Sequence, residues 1–160
     1  MANYVLKAEG VHYHLSPYAF VSYAEDFYDA AISHDSSRHF SPVSYYLICH
    51  SIELLLKAFL LLKGVSRGQL RTRDMGHNLV NILNKCKENG LSEFYFFDEA
   101  KSNEIFKLNE WYCRKGFEYF ELQNLVDSHQ ELPSLPTIKI IAAELINCLK
   151  ESCLNEANKP

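Results

Sequence analysis

Residues 41–64, SPVSYYLICHSIELLLKAFLLLKG, decide the fold. Apolar residues fall at Tyr45, Ile48, Cys49, Ile52, Leu55, Leu56, Phe59 and Leu62, the three-and-four spacing of an amphipathic helix. Leu47, Leu54 and Leu61 add a second apolar line one heptad apart, so the arc to be buried is unusually wide. One narrow stripe is polar: His50, Glu53 and Lys57. A helix that is apolar on nearly every side must be covered by protein or lipid. The spacing therefore predicts the central helix of a bundle, or of a bundle dimer. Ser41 stands where a side chain would cap the first turn, and Pro42 suits the first helical position because its missing N–H would have no partner there. Gly64 stands where a left-handed residue would end the helix. At about 1.5 Å per residue the helix would be roughly 33 Å long.

The rest of the chain fits one domain. Its 160 residues show no linker and no internal repeat, with a core expected over about 17–153, an arm over 1–16 and a tail after Cys153 that frays. Nearly half the residues are apolar, including ten Tyr and ten Phe, which is the composition of a folded globular chain. The longest stretch without a formal charge, Gly10 to Ala24, contains two His, two Ser and a Pro, so no membrane span is expected. The N-terminus lacks the basic start and apolar centre of a signal peptide, and a cytoplasmic protein is expected. Five cysteines, an odd number with no Cys-x-x-Cys pair, argue against a disulfide framework or a structural zinc site. Cys49 and Cys86 fall on apolar helix positions, where a reduced thiol behaves as a small hydrophobe.

Four further helices follow from periodicity and stop signals. The first runs from about Pro17 to Ser33, capped by Ser16, with Phe20, Tyr23, Ala24, Phe27, Tyr28 and Ala31 on one face. The third covers about Gly76 to Lys87, with Leu79, Ile82, Leu83 and Cys86 inward and Asn89-Gly90 as its stop. The fourth covers about Asp98 to Arg114, with Ile105, Leu108 and either Trp111 or Tyr112 inward, stopped by Gly116. The last begins near Thr137 and carries Ile138, Ile141, Ala142, Leu145 and Leu149 toward the core. Phe94 to Phe97 and Phe117 to Phe120 read as aromatic connections packed on the bundle, or as short strands. The tyrosines of the first helix, Tyr18, Tyr23 and Tyr28, read as core and interface.

Two segments in this order, HSIELLLKAFL and then GHNLVNILNKC opening the next helix, resemble the HEPN superfamily, whose domains are antiparallel helical bundles. The resemblance rests on Glu53 and Lys57, then Gly76, His77, Asn78 and Leu79; further on, LNEWYCRKGFEYF is similar to the family's later segment through Tyr112, Arg114 and Phe117. It covers roughly Pro17 to Leu149. The resemblance implies one of two functions. Some members are metal-independent endoribonucleases, often the toxin of a toxin–antitoxin pair, in which an Arg followed after four to six residues by a His faces its mate across a homodimer. Others have lost that motif and serve as binding or dimerisation modules. A partner of the nucleotidyltransferase type would accompany the toxin reading. In the active members a His moves a proton at the ribose 2′-hydroxyl or the leaving oxygen while an Arg neutralises the phosphate.

In this chain Arg114 is not followed by a His until His129, and the one formal match is Arg71 with His77, with Thr72 after the Arg where Asn, Asp or His is usual. Lys63, Arg67, Arg71 and Arg73 put four positive charges into eleven residues of a chain whose net charge is −4. With Arg114 they are the candidate phosphate or RNA contacts, since a basic loop beside a helix start favours anions. The plainer reading is a solvated loop whose arginines pair with Asp74 and its neighbours. His77 has a structural reading too, capping the helix or packing beside Asp74. The stripe of His50, Glu53 and Lys57 reads either as a surface pair of Glu and Lys, worth a few tenths of a kcal/mol in an isolated helix, or as a polar network at a cleft. His12 and His14 are two imidazoles and not a metal site. Glycine-rich phosphate loops, Gly-x-Ser-x-Gly, His-Glu-x-x-His and dinucleotide fingerprints are all missing from the sequence. The leading expectation is an all-α, HEPN-like homodimeric module without cofactor or metal that binds a partner, RNA or a nucleotide. The alternative is an endoribonuclease using Arg71 and His77.

Overall fold

The computed structural model describes residues 16–34, 40–119 and 132–159, and all regular structure among them is helical. Helix α1 spans Pro17–Ser33, α2 Pro42–Leu62, the single-turn α3 Arg67–Leu70, α4 Leu79–Glu88, α5 Glu99–Tyr112 and α6 Leu135–Ala157; a 3₁₀ turn, Leu91–Glu93, follows α4. Side-chain caps explain most of these starts, because the first turn of a helix has free N–H groups. The Ser16 hydroxyl accepts from the Ala19 N–H at 3.3 Å, and Asn78, Asp98 and Ser134 do the same for α4, α5 and α6. Ser41 does not cap α2. Its Oγ lies 3.1 Å from His34 Nε2, so it ties the two ends of the α1–α2 connection together instead. Gly64 and Gly90 both adopt φ +83°, the left-handed geometry that ends α2 and α4.

Contacts fix the directions of the helices. Phe27 meets His50, Ser51 donates to the Ala24 carbonyl at 2.8 Å, and Phe20 shares a cavity with Leu54 and Lys57. Numbers fall along α1 as they rise along α2, so the pair is antiparallel. Helices α1 and α6 are antiparallel as well, with Lys150 on Glu25 at 2.7 Å and Ala143 and Ile146 beside Asp29. Lys87 on Ser102 and the Val80 N–H on Asn109 set α4 against α5, again antiparallel. Tyr45 near the start of α2 donates to the Pro133 carbonyl just before α6, so these two run parallel, and the result is an all-α bundle of mixed directions with α2 at its centre.

The wide apolar arc of α2 accounts for that position. Ile48, Cys49, Ile52, Leu55, Leu56, Ala58, Phe59 and Leu60 are fully buried, facing α1, α4 and α6. Small residues (Ala24, Ser51, Ala58) let the backbones approach, and Ser51 satisfies its hydroxyl on α1 rather than leaving it orphaned. By length and composition α2 is apolar enough to cross a membrane, with a mean hydropathy of 1.6 that the sequence reading passed over. Of its most apolar window, 67% is buried inside the bundle.

Several expectations need correction. Helix α1 turns Val21, Ala24 and Ala31 to the core, and Tyr23 is 53% exposed, so its aromatic face is tilted toward the α2 groove. Helix α4 starts at Leu79, not Gly76, because Asn78 takes the cap. Of the pair Trp111 and Tyr112, it is Tyr112 that is buried. Helix α6 runs on to Ala157 instead of fraying after Cys153. The basic connection contains α3, closed by reciprocal bonds between Ser66 and Gln69 that the sequence reading missed. Of the two readings of Phe94 to Phe97, the packed connection holds: it forms no strand, and Tyr95 and Phe97 pack onto the core. Residues 120 to 131 lie outside the described residues, as do His12, His14 and His129. All five thiols are free: Cys49, Cys86 and Cys153 are buried, Cys148 partly so, and Cys113 exposed. Burial pushes the Cys49, Cys86, Cys148 and Cys153 thiols up, the last to about 11, which is the opposite of nucleophile activation.

Candidate functional site

The polar stripe of α2 is not a surface feature. Glu53 is 3% exposed, and four side chains converge on it. Lys57, one turn along α2, puts Nζ 2.5 Å from Oε1. Oε2 accepts from the Tyr112 hydroxyl at 2.6 Å and from His77 Nδ1 at 2.9 Å. His50 Nδ1 lies 3.1 Å from the Tyr112 oxygen and 3.9 Å from the same Oε2. Three separate parts of the chain therefore meet at one carboxylate: α2, the connection before α4, and the last turn of α5.

Local sequence explains each placement. His50, Glu53 and Lys57 share a face through their spacing. Tyr112 closes α5 on the same side as Ile105 and Leu108, so its ring is buried and its hydroxyl reaches across to α2. His77 is positioned by a turn: the Gly76 and Met75 N–H groups return to the Thr72 carbonyl, and Asn81 holds the Asp74 carbonyl at 2.9 Å. His77 itself adopts φ +55°. A left-handed non-glycine residue costs roughly 1–2 kcal/mol, and a hydrogen bond to a charged group offsets about 1.5–3 kcal/mol. The strain aims the ring back at Glu53. This replaces the expected roles for His77 as helix cap or neighbour of Asp74.

The hydrogen-bond logic assigns the protons. A carboxylate only accepts, so the Tyr112 hydroxyl donates to Glu53 and its oxygen accepts from His50 Nδ1–H. His77 likewise donates through Nδ1. Both imidazoles thereby spend Nδ1–H on these bonds, which leaves Nε2 as the ring nitrogen available for other partners. Among the described residues neither Nε2 has a bonding partner. The His77 side chain is half exposed. Phe27 lies edge-on to His50 with centroids 4.4 Å apart, and Tyr46 stacks beside it at 6.1 Å.

Electrostatics follow the same geometry. Burial alone would raise Glu53, but the charge and hydrogen bond of Lys57, then Tyr112 and His77, hold it below the ordinary carboxylate value. Burial lowers His50, with Glu53 opposing, and burial together with the Glu53 charge raises Tyr112. Both Glu53 and His50 thus bind a proton less readily folded than unfolded, and stability rises with pH through them. The His50 contribution is complete above its ordinary 6.5 and fades as pH falls below it; that of Glu53 is complete above 4.5 and is lost as pH falls through its lowered value. The denaturant midpoint should therefore fall in two stages on acidification, and His50→Asn should remove the upper one. A midpoint that is flat from about pH 8 to about pH 4 would exclude the His50 stage, and one that stays flat on further acidification would exclude that of Glu53 as well.

Beside Lys57 a cavity of about 200 Å³ opens, lined by Phe20, Glu53, Leu54, Lys57, Arg67, Leu70 and Arg71. Helix α3 brings Arg67 and Arg71 to it. Of the candidate phosphate contacts, these two join Lys57, and three do not. Lys63 points elsewhere, 3.9 Å from Glu93 and over the Phe94 ring at 4.8 Å. Arg73 is exposed in the turn before His77, and Arg114 is exposed beyond the end of α5. Tyr112, two residues before Arg114, is the group that enters the cluster. Phe20 and Leu54 carried no recognisable site signal, because an apolar cavity wall looks like core in sequence. Among the described residues no three His, Cys, Asp or Glu side chains converge as metal ligands. No protein-family model, curated protein or solved structure matches the chain, and the arrangement has to be read from its own chemistry.

Proposed function

We propose that the protein is a HEPN-like helical module that binds a phosphate-bearing ligand, RNA or a nucleotide, at the Glu53 cluster and the cavity beside it. The observation that carries this is the cavity wall: three cationic side chains, Lys57, Arg67 and Arg71, gathered at one opening of a chain that is acidic overall. Lys57 is balanced by Glu53, and Arg71 on the same wall supplies a further positive charge for an anion. At about 200 Å³ the cavity is smaller than the roughly 300 Å³ and upward of typical small-molecule sites, which suits a single phosphate with its nearest neighbours and not a dinucleotide. The resemblance of GHNLVNILNKC and its preceding helix to the family supports the same reading and, with it, self-association as a homodimer.

Arg71→Gln should weaken binding of a short single-stranded RNA about tenfold at moderate salt, evenly across sequences, and flatten the salt dependence by about one phosphate contact. Fluorescence anisotropy at several salt concentrations measures both. Unchanged affinity in the folded variant would count against the cavity as the phosphate site.

A second reading, the metal-independent endoribonuclease of toxin–antitoxin type, is favoured by one observation. Glu53 holds His77 through Nδ1 and leaves its Nε2 available to move a proton, and Arg71 lines the cavity that Glu53 also lines. A nucleotidyltransferase-like partner belongs to this reading.

A further inference from the structure

Resting on that ribonuclease reading, we propose that His50 is a second proton-transfer group, so that a single protomer carries a complete imidazole pair for cleaving single-stranded RNA. The family pattern asks for one His per protomer and a symmetric mate. Here two imidazoles already hang from one carboxylate. Their Nδ1 atoms lie 3.9 and 2.9 Å from the same Glu53 oxygen, so they are no farther apart than the sum of those distances. Each ring is anchored through Nδ1, on Tyr112 for His50 and on Glu53 for His77, and each leaves Nε2 unpartnered among the described residues. Lys57 and Arg71 line the adjoining cavity, where a phosphodiester charge would be neutralised.

The chemistry balances without a co-reactant. His50 Nε2 takes the proton of a ribose 2′-hydroxyl as that oxygen bonds to phosphorus. The bond from phosphorus to the 5′ oxygen breaks, and His77, protonated at Nε2, gives its proton to the departing oxygen. The products are a 2′,3′-cyclic phosphate and a 5′-hydroxyl, and proton exchange with solvent resets both rings. His50 is assigned the base because Phe27 and Tyr46 enclose it and burial favours its neutral form. His77 is assigned the acid because its ring hydrogen-bonds a carboxylate directly, which gives a ring proton a counter-charge.

Asparagine places an N–H where Nδ1 stood, so His50→Asn and His77→Asn keep the anchoring bonds and delete only Nε2. The full-length protein and both variants, matched for melting temperature, would be given single-stranded RNA in EDTA. A second substrate would carry sulfur in place of the bridging 5′ oxygen. The wild type should cleave to a cyclic phosphate, and each variant should lose about a hundredfold or more on ordinary RNA. A thiolate leaves without a proton, so the sulfur substrate should rescue His77→Asn and not His50→Asn. Mixing the two variants should restore nothing. Wild-type rates in His50→Asn, rescue of His50→Asn by sulfur, or activity regained on mixing would each overturn the assignment while the ribonuclease reading stands. A folded wild type that cleaves neither substrate would overturn both.

Discussion

Glu53→Ala should lower the stability of the fold by about 3–5 kcal/mol, because it leaves Lys57, His77 and Tyr112 facing a hole where their shared acceptor was. The cost is that of orphaned partners more than of lost attraction. Lys57 is only 12% exposed in its side chain, and the Tyr112 hydroxyl is buried, so neither recovers its full hydration when the carboxylate goes. For a chain of this length the loss corresponds to roughly 10 °C in melting temperature. The double variant Glu53→Leu with Lys57→Met should recover much of it, since replacing both members of a buried pair by apolar residues of similar size is often near neutral. Denaturant titration of the three proteins decides the matter. A single variant within about 1 kcal/mol of wild type would show that the cluster is dispensable for folding.

Phe59→Ala is expected to be comparably severe, about 3–5 kcal/mol, for an unrelated reason. Phe59 is fully buried on α2, and its ring meets Phe94 edge-on with centroids 5.5 Å apart. The Lys63 ammonium lies over both rings. Truncation opens a cavity that the surrounding Leu and Ile side chains fill only in part. Phe96→Ala is the matched control: its ring is 71% exposed, and its removal should change stability by no more than about 0.5 kcal/mol. Equal effects of the two substitutions in equilibrium unfolding would mean that the aromatic connection packs differently.

The parts of this fold that were legible are those decided within a turn or two of chain. The apolar spacing of α2 announced a central helix, and Ser16, Asp98 and Gly64 marked boundaries because capping is local chemistry. The same locality explains the errors. A Gly-His-Asn-Leu run has three polar or small residues, any of which suits a helix start, and only the turn on Thr72 hands the cap to Asn78. Tyr23 and Val21 both fall within a wide apolar arc, and which one faces the core depends on how α1 rolls against α2. The candidate site was half legible. His50, Glu53 and Lys57 stood out as polar interruptions on an apolar helix, and His77 and Arg71 as an Arg-His spacing. That these two sets belong to one cluster was not readable, since His77 is 24 residues from Glu53 and Tyr112 is 59. Lys63 and Arg73 share only their charge with Arg67 and Arg71, and charge says nothing about the direction of a side chain.

The distribution of the five thiols has a practical consequence. Three are sealed in the core and a fourth is partly covered with its reactivity suppressed, while Cys113 is open to solvent. A maleimide or iodoacetamide dye at low ratio therefore labels the wild-type chain first at Cys113, the residue after Tyr112. A fluorophore or spin label there sits on the chain neighbour of Tyr112, whose hydroxyl joins His50 to Glu53. The chain carries, in its native sequence, an attachment point from which ligand arrival at the cluster can be followed optically.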